Sequence, residues 1–233
     1  MILLFDKRIG ETMDEMIRRF REKYCIGDKT KIAYAGRLDP LAFGKIIILT
    51  DKDIYEKEKY CSKDKTYTTW IVQGIQTDTY DIMGKITGDN EWKPIFNDVE
   101  NLEYVQQYPM YSSIYVIQDG MRKPLWYYEK NNIKVINIPY KKVKLISGEK
   151  ILEESISSTE LFRIINNRIE RVKKDTYRQD EIIALWKNKL DINKDYTISK
   201  WKFTITSGGY IRYLANQMGG CCYDIERISY HDT

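Results

Sequence analysis

The chain has 233 residues, 42% of them hydrophobic, which is enough to bury a substantial core and favours one large domain or two small ones. Thirty-eight Lys and Arg face 34 Asp and Glu, and the net charge of +4 permits a nucleic-acid partner without arguing for one. The opening Met1–Phe5 run is too short for an export signal and about eighteen consecutive apolar residues occur nowhere, so the expectation is a soluble intracellular protein, cytoplasmic first and nuclear or organellar second, with no membrane contact.

Thr12 and Glu15 form a T-x-x-E capping box, and Met13, Met16, Ile17, Phe20 and Tyr24 follow at helical spacing. The other face of this helix carries Arg18, Arg19, Arg21 and Lys23, read first as a solvated face and second as a phosphate contact. Ile46 to Leu49 and Tyr67 to Val72 read as strands of a sheet. The β-branched run Ile133, Val135, Ile136 and Ile138, resumed by Val143 and Leu145 after Pro139, predicts a strand pair. From about 148 to 195 the character changes. Ser157 and Glu160 make a second capping box, Leu161, Phe162, Ile165, Ile169 and Val172 keep helical spacing, and another helix is expected over Gln179 to Leu190. This segment reads as a helical insertion rather than part of the sheet, with a protein partner docking on it as one possible use. Trp201, Phe203 and Ile205 share one face of a last strand, and Ser207-Gly208-Gly209 turns into a final helix beginning near Tyr210. Cys221 and Cys222 are expected as small buried hydrophobes rather than a redox pair. With no C-x-x-C pair and His231 as the single histidine, no metal site is expected.

The stretch Gly36-Arg37-Leu38-Asp39-Pro40-Leu41-Ala42-Phe43-Gly44 places an acid on a loop before a buried strand. It is not a phosphate loop: seven residues separate Gly36 from Gly44-Lys45, and Ile46 stands where Ser or Thr is needed. Taken alone it is an Asp-Pro turn. Together with its neighbours it closely resembles the catalytic motif of the TruB family, G-x-L-D-P-x-A-x-G. Asp6-Lys7-Arg8-Ile9-Gly10 resembles the family's D-K-P-x-G opening, with Arg8 in place of proline, and Lys65-Thr66-Tyr67 resembles its K-x-Y motif. Gly74 to Asp81 with Gly84 is similar to G-x-x-T-D-T-x-D-x-x-G, Gln107 to Ser113 to Q-x-P-x-Y-S-A, and Thr206 to Arg212 to the motif S-K-G-T-Y-I-R.

The resemblance implies an α+β pseudouridine synthase core, a mixed and mostly antiparallel sheet flanked by helices. It implies isomerisation of uridine to pseudouridine in RNA, with the T-loop uridine at position 55 of tRNA as the main substrate and no cofactor. Asp39 would act covalently or as a base on the sugar, Arg212 would keep it ionised, and Tyr67 would stack on the extruded base and be a candidate for moving the C5 proton. Tyr210 matches a second pocket aromatic, and a tyrosine simply packed at a helix start is the alternative. Arg37, Lys45, Lys63, Lys65, Arg122 and Lys123 are candidates for an RNA-facing surface. Tyr34 stands where the family has a histidine that positions RNA; it can stack but offers no imidazole. No PUA domain is expected, and a hydrophobic residue near Ile225 to Ile228 should pack on Tyr67. The rival reading is a catalytically silent RNA-binding or RNA-folding factor, alone or as a component of a larger ribonucleoprotein particle; joint retention of Asp39, Tyr67 and Arg212 speaks against it.

Overall fold

A computed structural model describes residues 1–173 and 177–232. Strand β1 (Ile2–Lys7) turns Phe5 and Lys7 inward and leads to helix α1 (Met13–Tyr24). The capping box is complete: the Thr12 hydroxyl accepts from the Glu15 amide at 3.2 Å, and the Glu15 carboxylate accepts from the Thr12 amide at 2.8 Å. Met13, Met16 and Phe20, one turn apart, then bury against Phe5, Ile46 and Ile48. Strands β2 (Ile32–Ala35) and β3 (Ala42–Thr50) flank the Asp39 loop. A 3-10 turn and the short α2 (Lys57–Ser62) lead to β4 (Asp64–Gln73), the ribbon of β5 (Ile75–Thr77) and β6 (Ile86–Asp89), and β7 (Val99–Gln107). A hairpin of β8 (Tyr115–Gln118) and β9 (Met121–Pro124) runs into α3 (Leu125–Lys130). The remainder is β10 (Tyr140–Ser157), α4 (Ser158–Ile169), α5 (Gln179–Lys189), β11 (Asp195–Ile205), α6 (Ile211–Gln217) and β12 (Gly220–His231).

The main sheet has the order β1-β3-β12-β4-β11-β10-β7, with β2 also paired to β3. Every pairing in it is antiparallel except β3 with β12, so the fold is α+β with a mixed, mostly antiparallel sheet. Trp201, Phe203 and Ile205 line one face of β11 as their alternation predicts, and with Tyr67, Ile71, Leu214 and Ile225 they form the central core. Among the described residues no helix is long and apolar enough to cross a membrane.

Two sequence expectations change. The stretch from 148 to 195 is not a helical insertion apart from the sheet. Its first ten residues extend β10, which pairs with β11 from Gly148↔Phe203 out to Ser157↔Asp195, and only then does the chain turn into α4. Glu149, Glu153 and Glu154 hid this strand, because beyond the reach of β7 one edge of β10 is open and its side chains are mostly exposed. The two helices cap the end of the sheet. Leu161, Ile165, Ile182 and Trp186 are buried against Val72, Ile75, Ile82 and Ile198, so their apolar faces look into the protein's own core instead of outward to a partner. The second change concerns 133–138, which forms no strand. Val135 is buried under α3 against Leu125 and Tyr128, with Ile133 and Ile138 packed around it, while Ile136 is 75% exposed; this satellite core takes up three of the four β-branched residues without any ladder.

Candidate active site

Strands β3 and β12 are parallel, with Ile225 opposite Ala42. Parallel neighbours run in the same direction, so what precedes each lies at the same end of the sheet. The Asp39 loop precedes β3, and α6 precedes β12, which is how residues 173 apart in sequence meet: Arg212 Nε and Nη2 both stand 2.9 Å from Asp39 Oδ2. The arginine side chain is sealed at 3% exposure while that of Asp39 is 36% exposed, so the carboxylate is held from behind and open in front. Front here means a cleft of about 360 Å³, lined among others by Arg37, Asp39, Lys65, Tyr67, Tyr210 and Arg212, and large enough for a nucleoside.

Arg212 has further partners. Its Nη1 donates to the Thr79 carbonyl at 2.5 Å, its Nη2 to the Tyr111 carbonyl at 3.2 Å, and Asp81 Oδ2 lies 3.7 Å from Nε. Burial opposes its charge, but Asp39 and Asp81 outweigh burial and raise its pKa above the ordinary value. Asp81 is the second acid of the site and was not singled out from sequence, although it closes the T-D-T-x-D segment. Its Oδ1 accepts from the Thr79 hydroxyl at 2.6 Å and the Met83 amide at 2.9 Å, yet burial pushes its pKa up to about 6, with Arg212 pulling the other way.

The Asp39 loop is fixed by two more buried cations that sequence reasoning also missed. Lys7 Nζ donates to the carbonyls of Pro40 at 3.0 Å and Ala42 at 2.7 Å. Burial lowers its pKa to about 8 against the opposing charge of Asp39. Arg227 grips the loop at both ends, Nη2 to Gly36 O at 2.9 Å and Nε to Lys45 O at 2.6 Å. Gly44, at φ 95°, lets β3 lie against the Arg227 backbone, where a Cβ would collide. Inward-facing Lys7 beside a buried Phe5 was the available signal; nothing in the residues around Arg227 announced its role.

Tyr67 is buried on β4, opposite Phe203 and Arg227, and Ile225, opposite Thr69 on β12, belongs to the same core cluster. Tyr210 sits at the start of α6, edge-on to Tyr108 at 5.7 Å; burial and the nearby Asp39 charge push its phenol up to about 12. Lys65 is not a surface charge. It is 6% exposed, donates from Nζ to the carbonyls of Cys61 and Lys63, and burial lowers its pKa to about 8. The other candidates do not line the cleft. Tyr34 packs against the α1 core with Lys57 over its ring, Lys45 pairs with Asp6 at 3.1 Å, and Lys63 pairs with Asp232. Arg122 lies over the Tyr115 ring and Lys123 over that of Tyr127, on and behind the β8–β9 hairpin. Cys221 and Cys222 are free thiols buried in the core.

The family model of the TruB family pseudouridylate synthase N-terminal domain matches residues 22–161. The tRNA pseudouridine synthase B of Chlamydia abortus is 31% identical over 232 residues, covering 97% of this chain and 80% of that protein. The protein of the same name from Mesoplasma florum is 29% identical over 166 residues, 68% of this chain and 56% of that protein. That of Caldicellulosiruptor saccharolyticus is 24% identical over 217 residues, 93% of this chain and 60% of that protein. The chain thus spans little more than half the length of the latter two. Among solved structures, a chain of a Cbf5-Nop10-Gar1 complex aligns with a TM-score of 0.48 at 13% identity, covering 98% of this chain and 48% of that chain.

Proposed function

Since the chain belongs to the TruB family of pseudouridylate synthases, we propose that it isomerises uridine to pseudouridine in RNA, with the T-loop uridine of tRNA as its substrate. The observation that carries this reading is the Asp39 carboxylate, open to the cleft and held from behind by a sealed guanidinium. Binding RNA requires no such acid; rearranging a nucleoside does.

The reaction breaks N1–C1′, turns the base, joins C5 to C1′, releases the C5 proton and returns one to N1. Atoms and electrons balance without a co-reactant. The target base must first leave its stack, at a cost of roughly a few kcal/mol. In this reading Asp39 acts on the sugar, either as nucleophile at C1′ or as base, and Arg212 keeps it ionised as the cleft fills and water leaves. Tyr67 stacks on the extruded base and is the candidate for the C5 proton. Tyr210, whose phenol stays protonated at neutral pH, is a hydrogen-bond donor beside Asp39. Arg37, which lines the cleft, is the candidate for a phosphate contact there, and Tyr34, Lys45, Arg122 and Lys123 would meet RNA only outside the cleft.

An unmodified tRNA transcript incubated with the chain should acquire pseudouridine in the T-loop, mapped by carbodiimide-dependent primer stops. Asp39→Asn should lower the rate by about 10³ or more while still binding the transcript. Product at another position would refute the substrate; no product at any uridine would refute the activity.

A further inference from the structure

Arg178 lies between α4 and α5, in the cap, and its guanidinium touches two loops at once. Nη1 is 3.0 Å from Asp78 Oδ2 and Nη2 is 3.4 Å from Oδ1, a two-pronged ion pair. The same group stands over the Tyr111 ring, 4.7 Å from its centroid. These contacts sit one step from the reacting acid. Thr79, next to Asp78, and Tyr111 itself supply the two carbonyls that receive Arg212 Nη1 and Nη2.

Asp78 is built to transmit this grip. Its Oδ1 accepts from the Lys85 amide at 2.8 Å and its own amide donates to the Lys85 carbonyl at 3.0 Å, so the turn from 78 to 85 closes on itself and moves as a unit. That turn contains Asp81. The rest of the turn is braced by the same cap, through Trp186 Nε1 donating to the Ile82 carbonyl at 3.1 Å and Lys85 pairing with Glu181 at 2.6 Å, and by β12, through the Ile82 amide donating to the Cys222 carbonyl at 2.9 Å and the Cys222 amide donating to the Tyr80 carbonyl at 3.1 Å. Among the described residues, the polar side-chain contacts that join the 78–85 turn to the Tyr111 segment are those of Arg178 and of Arg212, the group whose aim has to be fixed.

We infer that Arg178 is a positioning residue for the reaction: it clamps the Asp78 turn to Tyr111 and thereby sets the two carbonyls that aim Arg212 at Asp39. The inference rests on the reading of the cleft as a synthase site, and it gives the α4–α5 cap a part in that site. A displacement of about 1 Å at a catalytic pair costs on the order of a hundredfold in rate, so losing one of several braces should cost less.

Arg178→Met keeps the aliphatic stem and removes the charge; Arg178→Lys restores a charge without the fork. With the T-loop transcript as substrate, Arg178→Met is expected to lower kcat about tenfold with KM within about twofold, and Arg178→Lys to recover part of the loss. In the free proteins, Arg178→Met should speed hydrogen exchange at the amides of Asp78, Gly84 and Lys85, which are bonded within the turn, and leave that of α1 unchanged. Unchanged kcat with unchanged exchange overturns the inference, and so does a rise in KM at constant kcat, which would make Arg178 a contact for substrate. If the unmutated chain makes no pseudouridine, the proposed activity fails, while the exchange measurement still decides whether Arg178 holds the turn.

Discussion

A buried positive charge survives only where hydrogen-bond acceptors or acids replace its water, and Lys7, Arg212 and Arg227 are each 2% exposed or less. Lys7 and Arg227 are satisfied by backbone carbonyls of the Asp39 loop, so they fix its shape. Arg212 alone meets carboxylates, and it meets two. Asp81 carries the cost of that arrangement, because burial lifts its pKa to about 6. Below the ordinary carboxylate range both folded and unfolded chains hold this proton. Between that range and about 6 the unfolded chain has released it and the folded chain has not, so fewer protons are bound on unfolding and stability falls as pH rises. Urea unfolding should therefore show the unmutated chain losing on the order of 2–3 kcal/mol relative to Asp81→Asn between about pH 4 and pH 7. A difference that stays flat across this window would mean that Arg212 already compensates the Asp81 charge in full.

The cap helices are tied to the site by few polar contacts, and the Trp186 indole is the most buried of them. Trp186→Phe keeps most of the ring and removes the N–H that serves the Ile82 carbonyl, leaving an acceptor without its donor in a dry interior. The expected loss is about 1–3 kcal/mol in urea unfolding, and a change below about 0.5 kcal/mol would show that another donor reaches that carbonyl. Elements were legible in the sequence to the degree that their own residues decide them. In α1, a capping box and apolar residues one turn apart mark both the start at Met13 and the buried face. Trp201, Phe203 and Ile205 likewise declare their face by alternation. The outer half of β10 and the run 133–138 depend on what lies beside them, an open sheet edge in one case and a satellite core in the other, and local pattern misreads both. The Asp39–Arg212 pair was legible only through resemblance of separate motifs, since its geometry comes from the parallel pairing of β3 with β12, which no local pattern encodes. Arg178 was not legible at all, because its meaning lies in two loops about seventy and a hundred residues upstream.

At the scale of the whole molecule, the cap and the sheet share one hydrophobic cluster. Val72, Ile75, Ile82, Ile198 and Tyr223 from the sheet side and Leu161, Ile165, Ile182 and Trp186 from the cap are all buried in it. Each of these is worth roughly 1.5–3 kcal/mol when fully covered, against a total stability of about 5–15 kcal/mol for an ordinary domain. Replacing residues 158–190 by a short turn is sterically simple, because β10 and β11 already pair out to Ser157 and Asp195. Energetically it should fail. The shortened chain would expose the sheet side of the cluster and lose the Arg178, Glu181 and Trp186 contacts to the Asp78–Lys85 turn, so it is expected to keep far-ultraviolet ellipticity, lose its near-ultraviolet signal and bind a hydrophobic dye, with no sharp urea transition. The full chain should unfold in one transition seen alike by both spectral regions. A shortened chain that unfolds cooperatively and still makes pseudouridine would show instead that the cap is an appendage, and the clamp assigned to Arg178 would fall with it.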